Sequence, residues 1–197
     1  NIKDILRTPG GTWEYLVLDA PATPTDPDGT FGWSKNRADG EASATAYFKN
    51  AEGIDVKDNG HLTFISKAEK RMIQLDLTTE TWTMDSTVSG LFAGQPDQIA
   101  AWVGEDSEFL FFAEDSSNND IHGRNLIDGR YFTLVQGGNE GGNLPNGVGV
   151  GAETTGLAFS PNNMHLYVAF QGQDIYEFFR TDGKPFDGSV LDTKYHS

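Results

Sequence analysis

The sequence predicts an all-β protein, and three observations lead to that prediction. Short apolar runs alternate with turn residues, and 23 of the 197 residues are glycine. No apolar pattern of helical period and useful length competes with these runs. The third observation is that whole groups of four runs recur: their second members begin at His61, Glu108 and His165, at intervals of 47 and 57 residues. Four-stranded units that repeat at roughly 40 to 50 residues are typical of the blades of a β-propeller.

The first unit spans residues 50–90 and reads as four short strands joined by tight turns. We predict these strands at 52–56, 61–66, 71–77 and 81–85. Runs of four to eight residues bounded by Gly, Asn, Asp or Thr clusters are the pattern of an antiparallel meander.

The second and third units follow the same pattern. Residues 91–136 form the second predicted blade, with strands at 96–102, 108–113, 121–127 and 131–135. Residues 152–197 hold the third blade and a tail, with strands at 156–159, 165–170 and 174–179. Between them, residues 137–151 contain seven glycines without alternating apolar residues. We predict a long exposed loop there, and this insertion accounts for the longer second interval.

The leading segment, residues 1–49, is the least regular part of the chain. Residues 11–19 predict one strand, whereas residues 20–41 are rich in Pro, Asp, Gly and Thr and predict a long loop. Within it, Thr-Asp-Pro-Asp-Gly at 25–29 reads as a turn in preference to a Ca²⁺ loop. Since a closed ring has at least about four blades, the sequence predicts three to four blades of a larger propeller.

Composition and charge narrow the functional classes. The net charge of −15 argues against a nucleic-acid partner, because phosphate binding needs a basic surface. No apolar stretch approaches the length of a membrane span. The chain has no cysteine, which excludes disulfides, thiolate metal sites and a cysteine nucleophile within these residues. The four histidines lack metal-motif spacing, and the matching positions of His61 and His165 at strand starts favour a structural role.

Carboxylates recur at one position of the repeat. Glu52, Asp97 and Glu153 each stand at or just ahead of the first strand of a unit. First strands line the central channel of a propeller, so these side chains would converge near its axis. Like charges held close together repel, and a bound cation removes that penalty. Carboxylate oxygens suit Ca²⁺. The alternative is that each acid caps its own turn.

The same segments carry a resemblance to a known family. "AEGIDV", "QPDQI", "LFFAEDS" and, most specifically, "ETTGLAFSPNNMHLYVAFQG" resemble the PhoX-type alkaline phosphatases, which are secreted, metal-dependent β-propellers. The resemblance covers about residues 50–180. It implies that Glu52 and Glu153 bind metal, with Asp97 in the same cluster and Glu114 as a further ligand. The cofactor implied is Ca²⁺, with iron as a second metal.

The resemblance also implies an activity and a location. The chain is expected to be a Ca²⁺-binding propeller that hydrolyses phosphate esters, in a secreted, extracellular or organelle-lumen setting. Asn50, however, stands where the family has an arginine that contacts phosphate, and an amide does not replace a bidentate guanidinium. Two alternatives stay open: a non-catalytic propeller that binds a protein partner within a larger assembly, and a six-bladed hydrolase of the lactonase type.

Overall fold

A computed structural model describes most of the chain. The described residues are 10–20, 28–56, 60–90, 92, 94–101, 109–115, 120–136, 143–144, 148–149, 153–171, 174–186 and 193–196. None of the helices within these residues has the length and apolar character that crossing a membrane would need.

The described residues contain fifteen strands and one helix. Antiparallel pairing joins them into sheets of six, four, three and two strands. The elements in chain order are β1 (Tyr15–Leu18), β2 (Asp28–Ser34), α1 (Arg37–Tyr47), β3 (Ala51–Val56), β4 (His61–Ser66), β5 (Arg71–Asp76), β6 (Thr81–Ser86), β7 (Gln95–Ala101), β8 (Phe109–Asp115), β9 (Ile121–Asn125), β10 (Tyr131–Val135), β11 (Asn143–Leu144), β12 (Val148–Gly149), β13 (Thr154–Phe159), β14 (His165–Phe170) and β15 (Ile175–Phe179).

The predicted blades are confirmed as antiparallel meanders. The first sheet runs β3-β4-β5-β6 and the second runs β7-β8-β9-β10, with each strand paired to its neighbour in sequence. The third sheet contains β13, β14 and β15 among the described residues. This arrangement of all-β repeating units is that of a β-propeller.

The leading segment corrects one prediction. Residues 20–41 were expected to form a loop, and 1–49 to be irregular, but β2 occupies 28–34 and α1 occupies 37–47. The strand β2 pairs with β6 and also with β1, so two strands extend the first sheet at its outer edge. The loop prediction missed this helix, whose N-cap is Asn36: its side chain accepts a hydrogen bond from the N–H of Ala38.

The helix closes one face of the first sheet. Gly40 permits its close approach to β1, because a Cβ there would lie 2.5 Å from the Cβ of Tyr15. Phe48, just after the helix, packs edge-on against Phe64 of β4 with ring centroids 5.4 Å apart. Together with buried Trp82, these residues form an apolar core between the leading segment and the first sheet.

Two further cores lie between successive sheets. The core between the first and second sheets contains Ile65, Met72, Phe92, Ile99, Leu110, Phe112 and Tyr131. The core between the second and third sheets contains Phe109, Phe111, Ala113, Ile121, Phe132, Leu166, Val168, Phe170 and Phe186. The alternation of side chains along β8 explains this division, since its odd-numbered residues face the third sheet and its even-numbered residues face the first.

The three first strands lie side by side. The strand β7 packs between β3 and β13. At Gly53 the approach is so close that a Cβ would lie 2.5 Å from the backbone nitrogen of Ile99. Pairing with the second strand shifts register at the same place in each unit: between Ala51 and Ile54, between Pro96 and Ile99, and between Thr154 and Gly156. Such bulges bend a strand and redirect its side chains.

The glycine-rich insertion lies mostly outside the described residues. Within it, β11 and β12 pair with each other as a separate two-stranded sheet and join none of the blades. That residues 137–151 form a long exposed loop between blades therefore stays a prediction. The possible Ca²⁺ loop at 25–29 falls mainly on residues that are not described, and its last two residues begin β2.

Candidate metal centre

Four charged side chains from three blades meet beside the first strands. Asp97 comes from the bulge of β7, Glu153 directly precedes β13, Asp115 ends β8, and Lys67 follows the end of β4. We call these four residues the axial cluster. They converge because the first strand of each blade starts at the end of the sheet where the second strand finishes.

The three carboxylates surround one ammonium group. The Nζ of Lys67 lies 3.6 Å from Asp97 Oδ2 and 3.6 Å from Glu153 Oε1, and it forms a short ion pair with Asp115 Oδ2. One oxygen from each carboxylate lies within 4.8 Å of the other two. Gln98 donates to Asp97 Oδ1 at 2.8 Å. The donor atoms are therefore oxygens of the kind that Ca²⁺ prefers, gathered around a cationic atom.

The axial cluster carries more negative than positive charge. Three ionised carboxylates and one ammonium leave an excess of two negative charges. A hydrogen bond with Asp97, burial and repulsion from Asp115 raise the pKa of Glu153. Burial lowers the pKa of Lys67, but its hydrogen bond to Asp115 and the three carboxylate charges outweigh burial and raise that pKa to about 12. The ammonium thus stays charged, and the excess negative charge favours a further cation.

A second group of possible ligands is buried in the second blade. Glu114, Asp120 and His122 have exposed fractions of 1%, 1% and 0%, and one ligand atom from each lies within 4.8 Å of the others. We call this group the buried cluster. His122 Nε2 lies 3.1 Å from Glu114 Oε2, and the N–H of Gly94 donates to the other oxygen of Glu114. The imidazole also stacks on Phe92, with ring centroids 4.5 Å apart.

Hydrogen bonds connect the buried cluster to the last described residues. His122 Nδ1 lies 3.1 Å from Thr133 Oγ1, which lies 2.9 Å from His196 Nε2. His196 Nδ1 in turn lies 2.8 Å from the carbonyl oxygen of Ser89. These contacts link Glu114 through two imidazoles and one hydroxyl to the carbonyl of Ser89.

The predicted ligands are thus distributed over different places. Asp97 and Glu153 come together, as expected, in the axial cluster. Glu114 belongs to the buried cluster, and Glu52 is an exposed residue of β3 that belongs to neither cluster. His61 and His165 begin β4 and β14, the equivalent positions that the repeat predicts.

Sequence reasoning missed Lys67, Asp115, Asp120 and His122. A signal for the first two was present, because Lys67 and Asp115 stand at or just after the end of the second strand in their blades, as Gln171 does in the third. The N–H of Gln171 donates to the carbonyl of Glu153 at 2.7 Å, which joins these two positions within a blade. Aligning the ends of the second strands as well as the starts of the first would have found both residues.

The fold and this site define the class: an all-β, propeller-type protein with a carboxylate cluster where its first strands meet. No family model matches the chain, and no curated protein matches it. Among solved structures it is similar to one described as a streptogramin B lyase structure, with a TM-score of 0.45 and 12% identity. The match covers 87% of this chain and 47% of the other, so the chain spans about half the length of that protein.

Proposed function

We propose that this chain is a Ca²⁺-binding β-propeller whose ion is held by Asp97, Asp115 and Glu153. The observation that supports this most directly is the position of Lys67, whose ammonium stands among all three carboxylates in place of an ion. Three carboxylates supply up to six oxygens, and Ca²⁺ takes six to eight at about 2.3–2.6 Å. The partial exposure of Glu153 and Asp115, at 29% and 26% of their side chains, leaves room for water ligands and for entry.

Phosphate-ester hydrolysis is the activity proposed for this site. A bound divalent cation would polarise a phosphoryl oxygen and offset the negative charge that develops there. Asp97 and Glu153 would hold the ion in place, and Gln98 would orient Asp97 through its hydrogen bond. Asn50, in the left-handed backbone region with φ of 50°, contributes no guanidinium to hold the phosphate. We accordingly expect weak hydrolysis at most.

A secreted location belongs to the same proposal, since extracellular Ca²⁺ is abundant enough for a site of modest affinity.

Titration calorimetry with Ca²⁺ on protein stripped of metal tests the proposal. We expect one site, with affinity reduced at least about tenfold in Asp97→Asn and in Glu153→Gln, because each change removes a charged ligand. Glu41→Gln is the matched control, since Glu41 is an exposed helix residue paired with Arg37. Hydrolysis of p-nitrophenyl phosphate with and without Ca²⁺ tests the catalytic part. Equal Ca²⁺ affinity in all four proteins, or no binding at millimolar Ca²⁺, would contradict the site.

A second candidate is a non-catalytic interaction subunit, and the outer face of the third sheet favours it. Tyr167, Ile175 and Phe179 are exposed there by 39%, 72% and 62%. The side chains of His165 and Glu177 lie 3.1 Å apart on the same face, in a chain with a net charge of −15. The equivalent face of the second sheet already packs on another sheet. We propose a second copy of this chain as the occupant.

Sedimentation measurements test this second candidate. We expect reversible dimers at micromolar concentrations, and monomers for Phe179→Asp, which places a charge on the apolar face. A wild-type chain that sediments as a monomer at all concentrations would remove the second candidate.

A further inference from the structure

We infer that Lys67 is a tethered competitor of the metal: its ammonium occupies the ion position in the metal-free protein and must leave when Ca²⁺ binds. This inference rests on the proposed Ca²⁺ site and concerns how that site is regulated. It assigns Lys67, which is not itself a ligand, a role in setting the affinity.

The geometry places both cations at one point. One oxygen of each carboxylate lies within 4.8 Å of the other two, and Lys67 Nζ contacts an oxygen of each carboxylate. An ion bound to these carboxylates at about 2.3–2.6 Å would stand within van der Waals reach of the ammonium. Two cations at such a distance repel strongly, because the side chain of Lys67 is only 17% exposed and solvent screens little of their charge.

Lys67 and the three carboxylates of the axial cluster come from different blades. Lys67 belongs to the first blade, Asp97 and Asp115 to the second, and Glu153 precedes the first strand of the third. In the metal-free protein, the ammonium therefore offsets the repulsion of three carboxylates across three blades. The four-carbon stem of lysine lets the ammonium leave without displacing backbone, so exchange of one cation for another needs no change of fold.

Lysine labelling reads this exchange directly, without any assay of activity. In the metal-free protein, ion pairs with three carboxylates cover the amine of Lys67, whose side chain is 17% exposed. Ca²⁺ would replace those contacts and release the amine toward solvent, so Lys67 should become more reactive. We expect its labelling rate, measured by peptide mass spectrometry, to rise at least about fivefold with saturating Ca²⁺. Lys49, 52% exposed and 3.9 Å from Glu69, is the internal control whose rate should stay constant.

Affinity supplies the second measurement. Lys67→Met keeps the length of the side chain and removes its charge, so Ca²⁺ affinity should rise roughly 10- to 100-fold. Lys49→Met should bind Ca²⁺ as the wild type does. If Lys67→Met folds poorly without metal, Lys67→Gln provides the neutral variant with a polar end.

The outcomes separate this inference from the site on which it rests. If calorimetry finds no Ca²⁺ binding in the wild type or in Lys67→Met, the proposed site itself fails. If Ca²⁺ binds through Asp97 and Glu153 while the labelling of Lys67 is unchanged and Lys67→Met binds no more tightly, the site stands and the competitor role is overturned.

Discussion

The axial cluster and the buried cluster each bring together three possible metal ligands, yet they differ in what surrounds them. The axial cluster is partly exposed, spans three blades and is balanced by the ammonium of Lys67. The buried cluster lies within the second blade, is at most 1% exposed and is linked to Thr133 and His196 by hydrogen bonds. A site for an exchangeable ion needs access and an excess of charge, whereas a network with satisfied donors mainly stabilises the blade.

Removing the imidazole of the buried cluster should have the largest effect. His122→Ala deletes a fully buried ring stacked on Phe92 and leaves Glu114 without one of its hydrogen bonds. We expect a loss of about 3 kcal/mol in the free energy of unfolding, measured with urea, and the same loss in Ca²⁺ and in chelator. His165→Ala, at a partly exposed position, should cost less than about 1 kcal/mol. A loss for His122→Ala that Ca²⁺ reverses would make the buried cluster the metal site instead.

Alkaline titration probes the core beside the buried cluster. Burial raises the pKa of Tyr131 to about 12, and its hydroxyl donates to the carbonyl of Ser86 at 2.7 Å. The unfolded chain loses this proton near pH 10. The stabilisation that the protonated Tyr131 gives the folded protein is therefore fully present below pH 10 and is lost as pH rises toward 12. The free energy of unfolding should fall by about 2–3 kcal/mol over that range. Tyr131→Phe should flatten this part of the profile, and an unchanged slope in the variant would contradict the assignment.

Replacing the ammonium of the axial cluster should have a smaller effect that depends on metal. Without Lys67, the three carboxylates repel each other with no internal counterion. We expect Lys67→Met to lower the free energy of unfolding in chelator by about 1–2 kcal/mol, and Ca²⁺ to restore it. Thermal unfolding in both buffers measures this. A loss of equal size in the two buffers would show that Lys67 only stabilises the fold.

The smallest effect should change sign with the buffer. The folded protein raises the pKa of Glu153, so its ionised form costs stability at neutral pH in the absence of metal. This cost is absent at a pH below the pKa that Glu153 has in the unfolded chain, and it appears as pH rises through the pKa of Glu153 in the folded protein. Glu153→Gln should therefore unfold at an equal or slightly higher temperature than wild type in chelator, and at a lower temperature in Ca²⁺. Lower stability in both buffers would instead support a turn-capping role for Glu153.

Much of the fold followed from local patterns. Strands β4, β10 and β14 have the predicted bounds, and the other blade strands differ from prediction by one or a few residues, because alternation and turn residues act over short distances. The N-terminal helix was missed because α1 owes its place to packing: Ser43 accepts from the N–H of Leu18 at 2.9 Å, and Gly40 touches Tyr15. No sequence pattern within residues 20–41 indicates that the helix would pack on Tyr15 and Leu18.

The sequence by itself determined the class of fold, the repeat and the recurring carboxylates, all of which depend on neighbours close along the chain. Only the tertiary structure decided which acids meet. It joins Asp97 with Glu153, sends Glu114 to a separate buried cluster and leaves Glu52 exposed on β3. The physical reason is that the bulges and the packing of β7 between β3 and β13 set where each side chain points. A spacing of about 50 residues in sequence does not show where a side chain points. Lys67 reaches the axial cluster only because the packing of the blades brings the end of β4 close to Asp97 and Glu153.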